Sequence, residues 1–142
     1  MKTAIYPGSF DPVTNGHLDI IKRSSRMFDK VIVAVLVNSA KTPLFTVEER
    51  VAMLRDACKN IPNVEIDSFN GLTVTFAKQK GATVMVRGLR AVTDFENEIQ
   101  LAHTNFAMMP EIETVFLATA IKWSYLSSTI VREAAHYGQD VS

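Results

Sequence analysis

Short apolar runs and amphipathic segments alternate along the whole of this chain. The apolar, β-branched run Val31–Val37 is typical of a strand that is covered on both faces. The segments between such runs repeat apolar residues at helical spacing, and two of them begin with the spacing of a capping box. Those two pairs are Thr46 with Glu49 and Thr93 with Glu96. Strands are predicted at Thr3–Tyr6, Val31–Val37, Val64–Ile66, Thr83–Val86 and Thr114–Ala118, and helices at Gly16–Phe28, Thr46–Cys58, Leu72–Lys80, Thr93–Met108 and Ser128–Tyr137.

This alternation predicts an α/β fold with a doubly wound, five-stranded parallel sheet joined by right-handed crossovers. The chain has 142 residues, and no linker-like stretch divides it, so we expect a single domain over residues 1–142. In such sheets a ligand binds at the carboxyl ends of the strands, where the strand order reverses. The loops that follow the strands are therefore candidates for the site: residues 7–17, 38–41, 69–73, 87–90 and 119–129.

Composition excludes several classes of protein. Fifteen basic and fifteen acidic side chains give a formal net charge of zero, which argues against a general nucleic-acid binder. No apolar run approaches the roughly 20 residues of a membrane span, and no secretory signal peptide precedes the first strand. The single cysteine, Cys58, cannot form an internal disulfide. We therefore expect a cytoplasmic protein that binds neither nucleic acid nor a membrane.

The start of the chain predicts a phosphate-binding site. An apolar run stops at Pro7-Gly8, and a loop of small, hydroxyl-bearing and turn-forming residues leads to a helix that begins near His17. Strand, small-residue loop and helix N-terminus is the arrangement with which α/β proteins bind phosphate. The imidazole of His17 could donate to the same oxygens as the helix N–H groups. On the residues alone, a histidine that only caps the helix or packs locally is the favoured alternative.

Basic side chains follow two more of the predicted strands. Lys41 lies after the second strand, where its flexible ammonium could follow a moving phosphoryl group, unless it is simply solvated. Arg87 and Arg90 follow the fourth strand, and guanidinium forks capture anions. The alternative for these arginines is an ion pair with the acidic start of the next helix, at Asp94, Glu96 or Glu98.

Three consecutive hydroxyl side chains, those of Ser127, Ser128 and Thr129, precede the last predicted helix. One cap suffices for a helix, so the other two hydroxyls are candidate phosphate donors. Trp123 would cover the core or lie against a nucleotide base. The sequence has no Walker A or dinucleotide fingerprint, no metal-ligand spacing and no nucleophile elbow. It therefore indicates a site for positioning and charge stabilisation rather than for covalent catalysis.

These motifs resemble those of known families. Gly8–His17 resembles the T/H-x-G-H signature of the nucleotidyltransferase superfamily related to class I aminoacyl-tRNA synthetases, and Ser127–Arg132 resembles its second, hydroxyl-rich signature. Arg87–Val92 with Asp94–Glu96, and Trp123–Tyr125, are narrower and resemble bacterial phosphopantetheine adenylyltransferases. The resemblance runs from residue 4 to the end of the chain, with three separated motifs in the same order.

The resemblance implies a Rossmann-like nucleotidyltransferase fold and transfer of the adenylyl group of ATP to 4′-phosphopantetheine, which gives dephospho-CoA and pyrophosphate. It also implies Mg²⁺ carried by the ATP phosphates, a homohexamer, and coenzyme A as a further ligand. The implied catalytic residues are His17, Lys41, Ser128 and Thr129, and no protein ligand to a metal is implied. The implied ATP-binding residues are Ser9, Phe10, His17, Gly88, Leu89, Arg90, Glu98, Trp123, Ser124, Tyr125, Leu126, Ser127, Ser128 and Thr129. The implied residues for the pantetheine substrate are Ser9, Lys41, Thr73 and Arg87.

Two departures and two alternatives accompany this reading. Ser9 keeps the hydroxyl of the Thr or Ser that the family has at its position, so it is a small departure. Family members usually continue past the position of Ser142, and we expect their C-terminal helix to be absent here. One alternative is a sister nucleotidyltransferase that uses another phosphate, such as nicotinamide mononucleotide or glycerol phosphate. The other is a nucleotide-binding module without catalytic activity.

Overall fold

The computed structural model describes residues 2–37, 43–89 and 92–118, and all nine strands and helices predicted within these ranges are present. Their bounds are β1 (Thr3–Gly8), α1 (Asn15–Met27), β2 (Lys30–Leu36), α2 (Val47–Ala57), β3 (Val64–Phe69), α3 (Thr73–Gln79), β4 (Val84–Leu89), α4 (Val92–Met108) and β5 (Glu113–Ala118). The helix predicted at Ser128–Tyr137 lies outside the described residues.

Three strands run further than their apolar residues indicate. β1 continues through Pro7 and Gly8, β3 continues to Phe69, and β4 continues to Leu89. In β3 the additional residues Asp67 and Ser68 pair with β2. A ladder of backbone hydrogen bonds needs no apolar side chain, and β3 is an edge strand whose polar side chains can reach water. The strand ends were therefore predicted too early.

The five described strands form one parallel sheet in the order β3-β2-β1-β4-β5. β1 is central, the chain first adds β2 and β3 on one side of it, and it then crosses over to add β4 and β5 on the other. The order of strands therefore reverses between β1 and β4. The predicted doubly wound, five-stranded parallel sheet is confirmed.

Two of the four described helices cover each face of the sheet, and each face has its own core. Residues Ala4 and Tyr6 of β1 point to the face that α1 and α2 cover, where Leu54 and Ile21 are fully buried. Ile5 of β1 points to the opposite face, which packs on α3. This alternation follows from the two-residue period of a strand. Because both faces are covered, the central strands are continuous apolar runs, as predicted.

The helices agree with the sequence analysis at α2 but differ from it at α4. The Thr46–Glu49 capping box is present at the start of α2. By contrast, Thr93 lies inside α4, so the cap predicted there is wrong. The helical spacing of apolar residues in this segment predicts that Phe106 lies on the apolar face, but Phe106 is half-exposed. Its neighbour Asn105 is buried instead, with its Nδ2 3.7 Å from the sulfur of Met85. Helical position turns by about 100° per residue, so a shift of one residue changes which side chain enters the core.

Within the ranges that the structure describes, no helix is both long and apolar enough to cross a bilayer.

Leu54→Ala tests the core beneath α2. Leu54 is 0% exposed, so its truncation leaves a cavity and should lower the free energy of unfolding by about 2–5 kcal/mol. Leu44 is 78% exposed, and Leu44→Ala should change it by less than about 0.5 kcal/mol. Chemical denaturation followed by circular dichroism measures both changes. Equal losses in the two variants would contradict the placement of Leu54 in the core.

Candidate functional site

The carboxyl ends of β1 and β4 separate where the strand order reverses. β1 pairs with β4 only at Ala4–Val84 and Ile5–Met85, although β1 stays paired with β2 as far as Gly8. Two residues beyond Ile5 lies Pro7, which has no N–H to donate to a neighbouring strand. The gap between these two strand ends, flanked by Gly8 and Arg87, is called the switch-point crevice below. It lies where doubly wound sheets bind their ligands.

The loop after β1 folds back on itself, and Gly8 leaves room for the Phe10 ring to pack against the strand end. A Cβ atom on Gly8 would lie 3.1 Å from the ring of Phe10. Phe10 has a φ of 48°, in the left-handed region that a side chain rarely adopts, and its ring packs edge-on against Tyr6 at 5.4 Å. The Phe10 side chain is 2% exposed. Of this predicted ATP-binding residue, only the backbone could therefore face a ligand.

His17 both caps α1 and presents a hydrogen-bond donor. It is the third residue of the helix, and its backbone N–H donates to the Thr14 hydroxyl at 3.2 Å. The Thr14 backbone N–H in turn donates to Nδ1 of the His17 ring at 3.0 Å. Since Nδ1 accepts this hydrogen bond, the proton of the neutral ring is on Nε2, on the far side of the ring. A capping role and a donor role for His17, which the sequence left as alternatives, are thus compatible, because the hydrogen bond of the cap sets the tautomer of the ring.

Arg87 lies inside β4 rather than after it, and Glu98 of α4 holds it. Nε and Nη2 of Arg87 each donate to one carboxylate oxygen of Glu98 at 2.8 Å, while Nη1 lies 3.4 Å from the Pro7 carbonyl oxygen. The hydrogen bonds to Glu98 raise the pKa of Arg87, against the burial that lowers it. The ion-pair alternative is therefore realised, between Arg87 and Glu98. Glu98 occupies the edge of the guanidinium formed by Nε and Nη2, so that Nη1 is directed towards β1 at the switch-point crevice.

Two residues that sequence reasoning missed bind the loop between β1 and α1, residues 9–14, to the start of α2. The Asp11 carboxylate accepts hydrogen bonds from the backbone N–H groups of Leu44 and Phe45, at 2.8 and 2.9 Å. Nη1 of Arg50 donates to the Ser9 carbonyl oxygen at 2.9 Å. A signal for Arg50 was present in the sequence, because a charged residue at this position interrupts the predicted apolar face of α2.

The other predicted site residues are distributed unevenly. Ser9 is exposed in the loop after β1, and Gly88 and Leu89 are the half-buried last residues of β4, so these lie at one end of the sheet with His17 and Arg87. Thr73 begins α3 after β3, two strands and hence about 10 Å across the sheet from β1. Lys41, Arg90 and Trp123–Thr129 lie outside the described residues.

No group of three or more metal-ligating side chains occurs in the part of the chain that the structure describes. The carboxylates of Asp11 and Glu98 are already engaged, the first by two backbone N–H groups and the second by Arg87.

Comparison with known proteins supports the resemblance. The chain matches the family model for cytidylyltransferase-like proteins over residues 5–134. It is 59% identical over 142 residues to the phosphopantetheine adenylyltransferase of Lachnoclostridium phytofermentans, with 100% of this chain and 87% of that protein covered. It is also 59% identical over 138 residues to the enzyme of that name from a Nostoc species, which covers 97% of this chain and 72% of that protein.

A solved structure confirms the Rossmann-like fold. The lipopolysaccharide core biosynthesis protein from Thermoplasma volcanium superposes with a TM-score of 0.61 at 19% identity, over 89% of this chain and 99% of that one. At this identity the similarity concerns the fold alone.

The tautomer of His17 can be measured directly. We expect ¹⁵N spectra of the neutral ring to show a proton on Nε2 and none on Nδ1, because Nδ1 accepts the Thr14 N–H. The exposed His103 serves as the internal control and should show the mixture of tautomers of a free imidazole. A proton on Nδ1 of His17 would contradict the capping geometry.

Proposed function

The chain belongs to the phosphopantetheine adenylyltransferase family, and we propose that it transfers the adenylyl group of ATP to 4′-phosphopantetheine, with dephospho-CoA and pyrophosphate as products. The observation that carries this proposal is the 59% identity over all 142 residues. The geometry supports it, because a helix N-terminus with His17 and a crevice edged by Arg87 lie together at the switch point of the sheet.

The reaction needs charge stabilisation and alignment more than proton transfer. The phosphate of phosphopantetheine is already an anionic nucleophile at neutral pH. Its oxygen attacks the α-phosphorus of ATP in line, and the bond from that phosphorus to the pyrophosphate oxygen breaks, without a covalent enzyme intermediate. Negative charge spreads over the phosphoryl oxygens and the leaving pyrophosphate. Holding both substrates in line can supply roughly 7–11 kcal/mol of the barrier.

The described residues have distinct parts in this scheme. The Nε2–H of His17 donates to the ATP phosphates, and the Ser9 hydroxyl lies between the two substrates. Arg87 binds the pantetheine phosphate with the edge of its guanidinium that Glu98 leaves open. Glu98 orients that guanidinium, in addition to the ATP contact that the resemblance implies. Lys41, Ser128 and Thr129 complete the set of donors, and Thr73 contacts the pantetheine arm.

The wider setting completes the proposal. Mg²⁺ arrives on the ATP phosphates, residues 1–142 act as one domain in the cytoplasm, and coenzyme A, which shares the product's pantetheine arm, is a further ligand. The five described strands in a single sheet support the one domain. The free thiol of Cys58 is consistent with a reducing compartment.

A pyrophosphate-release assay with ATP, Mg²⁺ and 4′-phosphopantetheine tests the function. We expect release only when ATP and this acceptor are both present. Nicotinamide mononucleotide and glycerol phosphate are the matched alternative acceptors. Release with either of them instead would identify a sister enzyme, and ATP binding without release for any acceptor would identify a non-catalytic module.

The contribution of His17 is tested by His17→Ala, which should lower kcat by about 10²–10³-fold because one preorganised donor to the developing charge is removed. His17→Asn is the matched control for the cap, since its side-chain oxygen can still accept the Thr14 N–H. It should preserve the melting temperature and yet lose activity as His17→Ala does. Wild-type turnover in either variant would remove His17 from the catalytic residues.

We propose a homohexamer, and the surface of α4 supports assembly. Leu101 and Met108 are each more than 40% exposed and, seven residues apart, lie on one face of this helix, and exposed apolar patches commonly mark protein interfaces. Leu101→Glu should therefore lower the mass measured by light scattering, while Glu111→Gln, at an exposed polar position, should leave it unchanged. A monomeric wild-type protein would exclude the hexamer.

A further inference from the structure

Arg50 of α2 carries a buried positive charge that no described carboxylate neutralises. The residue is 4% exposed, and it lies on the same face of α2 as the fully buried Leu54. None of the ion pairs among residues 2–37, 43–89 and 92–118 includes it. Charges this deeply buried are normally paired, because removing an ion from water is unfavourable. A structural role alone would be filled at lower cost by an apolar side chain.

The hydrogen bonds of Arg50 lead to the candidate site. Nη1 donates to the Ser9 carbonyl oxygen at 2.9 Å, and Nε lies 3.4 Å from the Thr46 carbonyl oxygen. The Ser9 carbonyl belongs to the peptide bond that joins Ser9 to Phe10. A trans peptide directs its C=O and its N–H to opposite sides, so holding the carbonyl against α2 directs the Phe10 N–H away from α2. Arg50 thus sets the plane of a peptide in the loop that precedes His17.

That peptide belongs to a strained part of the loop. Phe10 has a φ of 48°, in the left-handed region, which a residue with a side chain keeps only where its surroundings hold it there. Arg50 holds the loop before Phe10, and the Asp11 carboxylate holds it after Phe10 through the N–H groups of Leu44 and Phe45. The two contacts differ in charge. The negative charge of Asp11 accepts hydrogen bonds from two backbone N–H groups, whereas Arg50 places a positive charge between the loop and α2.

We propose that Arg50 is a positioning residue for adenylyl transfer, which fixes the Ser9–Phe10 peptide and places a buried positive charge behind the loop that receives the ATP phosphates. The inference rests on the proposed function, because it needs a polyphosphate at this loop. A buried cation is poorly screened, so it favours anionic charge at the loop even in salt. Since charge shifts onto the leaving pyrophosphate in the transition state, Arg50 acts on kcat more than on KM.

Three substitutions in α2 separate the charge from the fold. Arg50→Met removes the charge and keeps an unbranched apolar stem, Arg50→Lys keeps the charge without the planar fork, and Arg55→Met removes an exposed arginine from the same helix. We expect Arg50→Met to lower kcat about tenfold or more with both KM values within about threefold, which corresponds to a contribution made in the transition state. Arg50→Lys should recover most of kcat, and Arg55→Met should match the wild type.

A spectroscopic measurement accompanies the kinetics and needs no turnover. The ¹³C shift of the Ser9 carbonyl in the unliganded protein should move in Arg50→Met and stay unchanged in Arg55→Met, because of these two arginines it is Arg50 that donates to this carbonyl. Melting temperatures of all variants show whether each is folded. If Arg50→Met does not fold, Arg50→Gln, which keeps a donor but no charge, takes its place in the comparison with Arg50→Lys.

Each outcome decides between the two proposals. A wild-type chain that releases no pyrophosphate would overturn the proposed function. An active wild type with an equally active Arg50→Met would overturn the inference about Arg50 and leave the function intact. The inference about Arg50 would also be overturned if kcat of Arg50→Lys were as low as that of Arg50→Met, because the buried charge would then not be the cause. A change that appears only in KM would overturn it as well, because the charge is expected to act in the transition state.

Discussion

The end of hydrogen bonding between β1 and β4 is the constraint on which the site depends. The two strands pair only through Ile5 and Met85, although each remains paired with its other neighbour for several more residues. β1 is covered on both faces and lies in the middle of the sheet, so its carboxyl end is held rigidly while the crevice beside it stays open. A rigid edge beside an opening is what a reaction that depends on alignment requires. Pro7, which cannot donate to β4, lies where the separation begins.

Residues around this opening both stabilise the fold and orient the groups of the candidate site. The His17 ring accepts the hydrogen bond that caps α1, and this same bond leaves the proton on Nε2 as a donor. Glu98 neutralises Arg87 and at the same time turns its remaining edge towards β1. In both cases the partner that stabilises the fold also sets the orientation of the functional group. Structural and functional readings of such residues therefore need not exclude each other.

Hydrophobic patterning predicted the order and type of every described element, because burial on two faces of a sheet imposes period two on strands and a single apolar face on each helix. It failed where tertiary contacts decide. The burial of Asn105 in place of Phe106 depends on how α4 is rotated against Met85, which α4 alone does not specify. Likewise, the choice between anion capture and ion pairing for Arg87 depends on the distance to Glu98 across the β4–α4 connection. Arg50 stands out only as a charge on the apolar face of α2, and the sequence does not show what it binds, because its partners are backbone carbonyls.

Arg50 and Arg87 show why a chain with zero net charge can still favour a polyphosphate. Local potential depends on which charges are paired and how deeply they are buried, not on their sum. Arg87 lies beside a carboxylate that cancels much of its field, so it acts through directed hydrogen bonds at short range. Arg50 has only carbonyl partners among the described residues, so its field extends across the loop that precedes His17. Under the proposed function, Arg87 thus contributes directed hydrogen bonds and Arg50 contributes electrostatic potential at the same end of the sheet.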